Sequence, residues 1–346
     1  MKKLFLFAIA FQLFCIEGIH AKEIELSVKT RSGYNLAGTL VVPDQQSKKL
    51  LVIMLTPPND GDRDQQGVDK AFADSLEANG IASFRYDNRV FSDSIKHEAT
   101  LITTSYLDTA EDGIDMMNQL RAMPVLAGYR MGFYGISEGG GASMVAASKI
   151  DCSFCVPIAF PTADGSWFKF QQFTSPLWEN TLDNSDALIM ETGIRLIDLY
   201  AKRTSLEDFK AYYKNKYDSG KMSEKDYKGI DRGIEAWKFN ALKHEQDVIN
   251  CTLDKFAETL NCPMLYVGCK YDEKLNAMHE LAFFEKLMFK HNKTNFKTAV
   301  VDCNHMLMSK DEDIIYRTHL SEGEQVAKRD KMPEMISVVV NFLKEL

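Results

Sequence analysis

Three side chains, far apart in the chain, are spaced for one piece of chemistry. Ser137 sits in Gly135-Ile136-Ser137-Glu138-Gly139-Gly140-Gly141, after the apolar run Met131–Tyr134 and before a helix-like stretch through Ala147. A strand, a serine between glycines and a helix, in that order, spell a nucleophile elbow. The turn is so sharp that a Cβ two residues before or after the serine would collide, so both places call for glycine. The hydroxyl then projects above the sheet. The helix beginning at the serine aims its N–H groups and positive dipole end at charge developing there. A serine hydroxyl is a weak nucleophile alone and needs a positioned base.

Of seven histidines, only His305 comes directly after a late strand, in Val301-Asp302-Cys303-Asn304-His305-Met306. His20 lies near the N-terminus and His97 in the loop after an early strand. His244 falls in a charged helical stretch, His279 and His291 in a helical pattern, and His319 in a polar one. The carboxylate that would hold the imidazole tautomer belongs at the end of the strand between serine and histidine. Tyr266-Val267-Gly268-Cys269-Lys270-Tyr271-Asp272 supplies it, with Gly268 permitting the turn. Glu273 is adjacent, and Asp164, after the preceding strand, is the other contender. Serine, acid and histidine in this order predict acyl transfer through Ser137, Asp272 and His305.

The elements that must position these groups alternate along the chain. Glu23–Lys29 and Leu36–Val42 read as a hairpin turning at Arg31-Ser32-Gly33. Leu50–Leu55 is a continuous apolar run, as in a strand covered on both faces. A helix over 69–78, a strand over 81–86, a helix marked by Leu107, Ala110, Ile114, Met117 and Leu120, and strands over 131–134 and 152–160 follow. Strands over 264–267 and 297–301 bracket a helix over 276–290, and a last helix begins near Pro333, with Met335, Val338, Val339 and Phe342 on one face. Such alternation specifies a mostly parallel sheet with helices on both sides. It stops between about Asp164 and Asp247, a charged, aromatic and helical stretch with Phe209, Tyr212, Tyr213, Tyr217, Tyr227 and Trp237. Ser205-Leu206-Glu207-Asp208 and Ser223-Glu224-Lys225-Asp226 resemble helix-start capping boxes. The expected organisation is a core over 22–163 and 248–346 with a helical cap over 164–247, its aromatics forming the cap core and an enclosed, charge-poor acyl pocket.

The chain has 346 residues, 45% hydrophobic and 26% charged, which excludes collagen-like, low-complexity and largely disordered classes. With 41 basic against 49 acidic residues and no Lys/Arg-rich run, a nucleic-acid partner is not expected. Residues 1–21 read as a signal peptide: Lys2 and Lys3 precede the apolar stretch Leu4–Ile16, and Ala21 follows Gly18-Ile19-His20. That stretch is too short to span a bilayer comfortably, which takes about 20 residues. The protein is therefore expected to be secreted or periplasmic, with no stable membrane association after cleavage. Export raises the question of disulfides. Cys152 and Cys155, three apart on one expected strand, would face opposite ways and read as small core residues, whereas Cys251 and Cys262 could pair.

At this point the chain resembles a family. Gly135 to Gly140 is similar to the Gly-His-Ser-Glu-Gly-Gly elbow of bacterial α/β-hydrolases of the serine-aminopeptidase-like and acyl esterase group. Arg85-Tyr86-Asp87-Asn88-Arg89, Asp108-Thr109-Ala110-Glu111-Asp112, Cys262-Pro263 and Asn304-His305 extend the likeness. The resemblance implies an α/β-hydrolase sheet flanked by helices and a Ser-His-Asp acyl hydrolase without metal or organic cofactor. Ile136, Val90 and Ser92 depart from the family pattern, as does Pro57-Pro58-Asn59, where the family has Gly-Ser-Gly. An oxyanion hole takes one N–H from the residue after the serine, Glu138, and one from this loop. Proline has no N–H, and the alignment places the second donor at Asn59. Losing one donor would cost about 3–4 kcal/mol in rate. Asp60, Asp62 and Asp64 invite a calcium reading, but Gln65 and Ala71 stand where an EF-hand loop needs Gly and Glu; ion pairs with Arg63 are expected instead. The expected substrate is a small neutral acyl ester. Peptide and thioester substrates, or a catalytically weak binding protein, are the alternatives.

Overall fold

The computed structural model describes residues 22–45, 48–58, 61–92, 103–163, 165, 186–231, 243–272, 274–309 and 329–346. The leader expected over 1–21 lies outside them.

Eight strands form one sheet in the order β1-β2-β4-β3-β5-β6-β7-β8. β1 (Lys22–Lys29) and β2 (Asn35–Val42) are the predicted antiparallel hairpin. β2 also runs antiparallel to β4 (Ala82–Tyr86), and from β4 onward every pairing is parallel. β3 (Leu50–Met54) shows why its sequence is apolar throughout. Leu51 and Ile53 enter one hydrophobic cluster, while Leu50, Val52 and Met54 enter the cluster on the opposite face. Helix α1 (Val68–Ala78) packs into the second cluster through Phe72, Ala73 and Leu76. After β4 come the single turn α2 (Arg89–Ser92) and α3 (Tyr106–Arg121). A capping box starts α3, with Ser105 accepting from the Leu107 N–H while the Asp108 carboxylate accepts from the Ser105 N–H. β5 (Arg130–Ile136) feeds directly into α4 (Glu138–Lys149).

β6 spans only Cys155–Ile158, shorter than the 152–160 run predicted. Ala159 takes φ +47, which breaks the extended backbone. At the other end Cys152 lies outside the strand, and its thiol contacts that of Cys262, just before β7 (Met264–Cys269). The opposite-face argument for Cys152 and Cys155 therefore does not apply, and Cys262 does not pair with Cys251. All six described cysteines are buried and free.

Between β6 and β7 lie α5 (Asp186–Tyr200), α6 (Leu206–Asp218), α7 (Lys243–Asn250) and the short α8 (Asp254–Ala257). Ser205 and Ser223 accept from the N–H groups of Asp208 and Asp226, so both predicted helix starts are capped. This segment has its own core of Leu188, Leu199, Phe209, Tyr213, Met222 and Ile230. Tyr217 stacks on Tyr227 at 4.7 Å. Trp237 lies outside the described residues. α9 (Ala277–Lys290), the edge strand β8 (Phe296–Val301) and α10 (Met332–Glu345) complete the chain. Among the described residues no helix is long and apolar enough to cross a membrane.

Candidate active site

The end of β5 and the start of α4 deliver Ser137 at φ +55, ψ −128. A non-glycine residue held there carries strain of about 1–3 kcal/mol. A Cβ on Gly135 would stand 2.1 Å from the Gly139 carbonyl oxygen, and one on Gly139 would stand 2.1 Å from that of Leu55. Neither glycine can be replaced without moving backbone, as the elbow reading requires. The Ser137 N–H donates to the Ile158 carbonyl at 2.9 Å, which fixes the turn to β6.

The acid and base loops are joined to each other. Past the ends of β7 and β8, the Lys270 N–H donates to the Val301 carbonyl and the Tyr271 N–H to that of Cys303, both at 2.9 Å. Asp272 Oδ1 then accepts from the N–H groups of Lys274 and Leu275 at 2.8 and 3.0 Å. Its Oδ2 lies 2.7 Å from His305 Nδ1, and His305 Nε2 lies 3.2 Å from Ser137 Oγ. Asn304 shapes the base loop, its Oδ1 accepting from the N–H groups of Met306 and Met308. The side chains of His305 and Asp272 are 6% and 1% exposed. An acceptor-only carboxylate against Nδ1 selects the tautomer whose Nε2 lone pair faces the serine. The three predicted residues are thus brought together in hydrogen-bonding sequence. Glu273 and Asp164 lie outside the described residues.

Glu138 is the first residue of α4, so its N–H sits at the helix N-terminus beside Ser137. Pro57 and Pro58 border the same cleft, whereas Asn59 lies outside the described residues. The two flanks of this loop are tied together: Asn88 Nδ2 donates to the carbonyls of Pro57 and Gly61 at 3.4 and 3.2 Å. The ion pairs differ from those expected. Arg63 pairs with Asp87 and Glu25, and Asp64 pairs with Arg85. Asp64 is thus held from β4 rather than by its neighbour in sequence, while Asp62 accepts from the Asp64 N–H at 3.0 Å. Arg89, in turn, makes a buried two-pronged contact with Asp112 of α3 at 2.7 and 2.9 Å. The segment Arg85–Arg89 is therefore a row of anchors for the loop facing Ser137.

A cleft of about 460 Å³ opens over Ser137 and His305. None of Tyr212, Tyr213 or Tyr217 lines it; Asp69, Glu138, Lys274 and Arg329 do, together with Pro57 and Gln66. The expectation of a charge-poor pocket walled by those tyrosines is corrected: Tyr213 lies in its own segment's core, Tyr212 packs against that core and Tyr217 stacks on Tyr227. Arg329 donates to the Gln66 carbonyl and side-chain oxygen at 3.1 and 3.3 Å. Burial pushes the Asp69 carboxyl up to about 8, against the pull of Arg85. The sequence does hold a signal for Asp69, because it falls on the stripe Asp69, Phe72, Ala73, Leu76 that α1 buries. Arg329 follows a long stretch without periodicity and gave none.

No family model matches the chain, and no curated protein matches it in sequence. Solved structures do. An esterase of Pyrococcus furiosus is similar at TM-score 0.53 and 13% identity, over 94% of this chain and 91% of that one. A dienelactone hydrolase of Anabaena variabilis is similar at 0.52 and 12%, over 94% and 98%. An acylaminoacyl peptidase of Pyrococcus horikoshii is similar at 0.52 and 13%, over 94% of this chain and 42% of that one. At such identities the likeness is one of architecture, and with the strand order, the elbow after β5 and the loops after β7 and β8 it shows that the chain has the α/β-hydrolase fold.

Proposed function

We propose that this protein is an exported serine hydrolase that cleaves carboxylic esters of small, uncharged substrates through an acyl-enzyme on Ser137. The observation that carries this reading is the unbroken chain from Ser137 Oγ through His305 to Asp272. His305 Nε2 takes the hydroxyl proton as Oγ attacks the ester carbonyl, and returns it to the departing alcohol. Asp272 holds the imidazolium that forms in between. Developing negative charge on the carbonyl oxygen meets the Glu138 N–H at the start of α4, with Asn59 as the second donor. Water, activated by the same imidazole, then releases the acid. The leader pattern over residues 1–21 supports export, and the insertion of helices α5 to α7 between β6 and β7 supports the reading of a cap.

A fluorophosphonate probe tests the reading directly. Wild type should be labelled, and Ser137→Ala should not. An unlabelled wild type with a normal melting transition would make the protein a binder on this fold. Parallel assays on p-nitrophenyl butyrate and an alanine p-nitroanilide separate esterase from peptidase, and efficient anilide cleavage without esterase activity would reverse the assignment.

A further inference from the structure

One ionisable group in the cleft has no task in that mechanism. Acids in the first turn of a helix ordinarily stay in water beside the helix's free N–H groups. Asp69 instead occupies the buried stripe of α1 and is 5% exposed. Among the described residues its carboxyl makes no hydrogen bond or ion pair, although its surface lines the cleft over Ser137. A buried carboxyl without a partner costs stability that a leucine at this position would not. A ligand in the cleft would supply the missing partner.

We propose that Asp69 is a specificity-determining residue whose carboxyl hydrogen-bonds a second carbonyl oxygen of the ester substrate. The proposal rests on the serine-hydrolase reading and narrows its substrate class to esters with an oxo group or a second ester carbonyl near the scissile bond. The charges around Asp69 support it. Arg85 on β4 pulls its proton affinity down and Asp64 pushes it up, with the Tyr134 phenol of β5 also facing it. Burial, reinforced by Asp64, outweighs Arg85 and brings the carboxyl to about 8, so near neutrality it keeps its proton and donates. Two further charged groups on the cleft wall are donors: the Lys274 ammonium, without an ion pair among the described residues, and the Arg329 guanidinium. Donors ask for acceptor oxygens on the ligand. An ammonium would meet two cations, and a carboxylate would meet Glu138 and the same burial that keeps Asp69 protonated.

The test compares kcat/KM of the full chain on two ester pairs: ethyl butyrate against ethyl 3-oxobutyrate, and propyl butyrate against 2-oxopropyl butyrate. Each rate is divided by that for hydroxide hydrolysis. Wild type should favour the oxo member of one pair roughly tenfold, as one good hydrogen bond allows. Asp69→Leu should abolish the preference, and Asp69→Asn, which keeps a donor, should retain most of it. In wild type the preference should fall as pH rises through about 8, where the carboxyl ionises and stops donating. In Asp69→Asn it should not. No preference in either pair, or one that survives in Asp69→Leu, overturns the proposal while leaving the hydrolase reading intact. A wild type that neither turns over any ester nor reacts with fluorophosphonate removes both. Fluorophosphonate labelling of Asp69→Leu distinguishes lost specificity from a lost fold.

Discussion

His305→Ala removes the group placed to take the Ser137 proton, so kcat should drop by about six orders of magnitude, as in other serine triads. The melting temperature should change little, and a variant retaining a tenth of wild-type turnover would exclude His305 as the base. Asp272→Asn is a sharper test of the tautomer argument. An amide NH₂ facing Nδ1 turns the imidazole round and presents N–H to the serine, which should cost about 10⁴ in kcat with the fold intact. These three residues were legible because each ends a strand, and β-strand runs of Val, Ile and Tyr are easily read. Asp69, Lys274 and Arg329 line the cleft without any motif that marks them as site residues. The α1 stripe marks Asp69 as buried, but that it meets Lys274 and Arg329 over Ser137 depends on how α1, the acid loop and the chain before α10 converge, which no local periodicity encodes.

Between elements, the Arg89–Asp112 contact is the one ion pair here that both α2 and α3 bury, with side chains 9% and 3% exposed. Asp112→Ala leaves a buried guanidinium with only the longer 3.5 Å contact to Asp108 as counter-charge and should destabilise by about 3 kcal/mol. Arg89→Met with Asp112→Leu removes both charges and should cost much less, which a denaturant titration of the single and double variants can measure. A double variant as unstable as the single one would mean that packing rather than charge is lost. Element existence was readable throughout the core, since period 2 and period 3.6 are distinct there. Extent was less so. β6 ends where Ala159 turns to positive φ, and alanine gives no sequence warning of that.

At the scale of the whole molecule, β6 and β7 lie side by side in the sheet, yet residues 159–263 intervene between them. Every other parallel neighbour joined consecutively in sequence is linked by a far shorter excursion. Closing a flexible loop of roughly a hundred residues costs about 2 kcal/mol more in chain entropy than closing one of roughly ten. That cost must be met before the strand contacts can repay it, which slows the assembly of such pairs. The inserted helices have their own core around Phe209 and Tyr213, so folding them first brings the two strand ends together. Refolding of the sheet should therefore be rate-limited by the insertion. Phe209→Ala, which touches no strand, should slow the return of fluorophosphonate reactivity after dilution from denaturant several-fold. An unchanged refolding rate with only faster unfolding would place the insertion after the transition state. In the first case the helices govern when the nucleophile comes to exist, a kinetic authority over the site that their position in the finished molecule does not reveal.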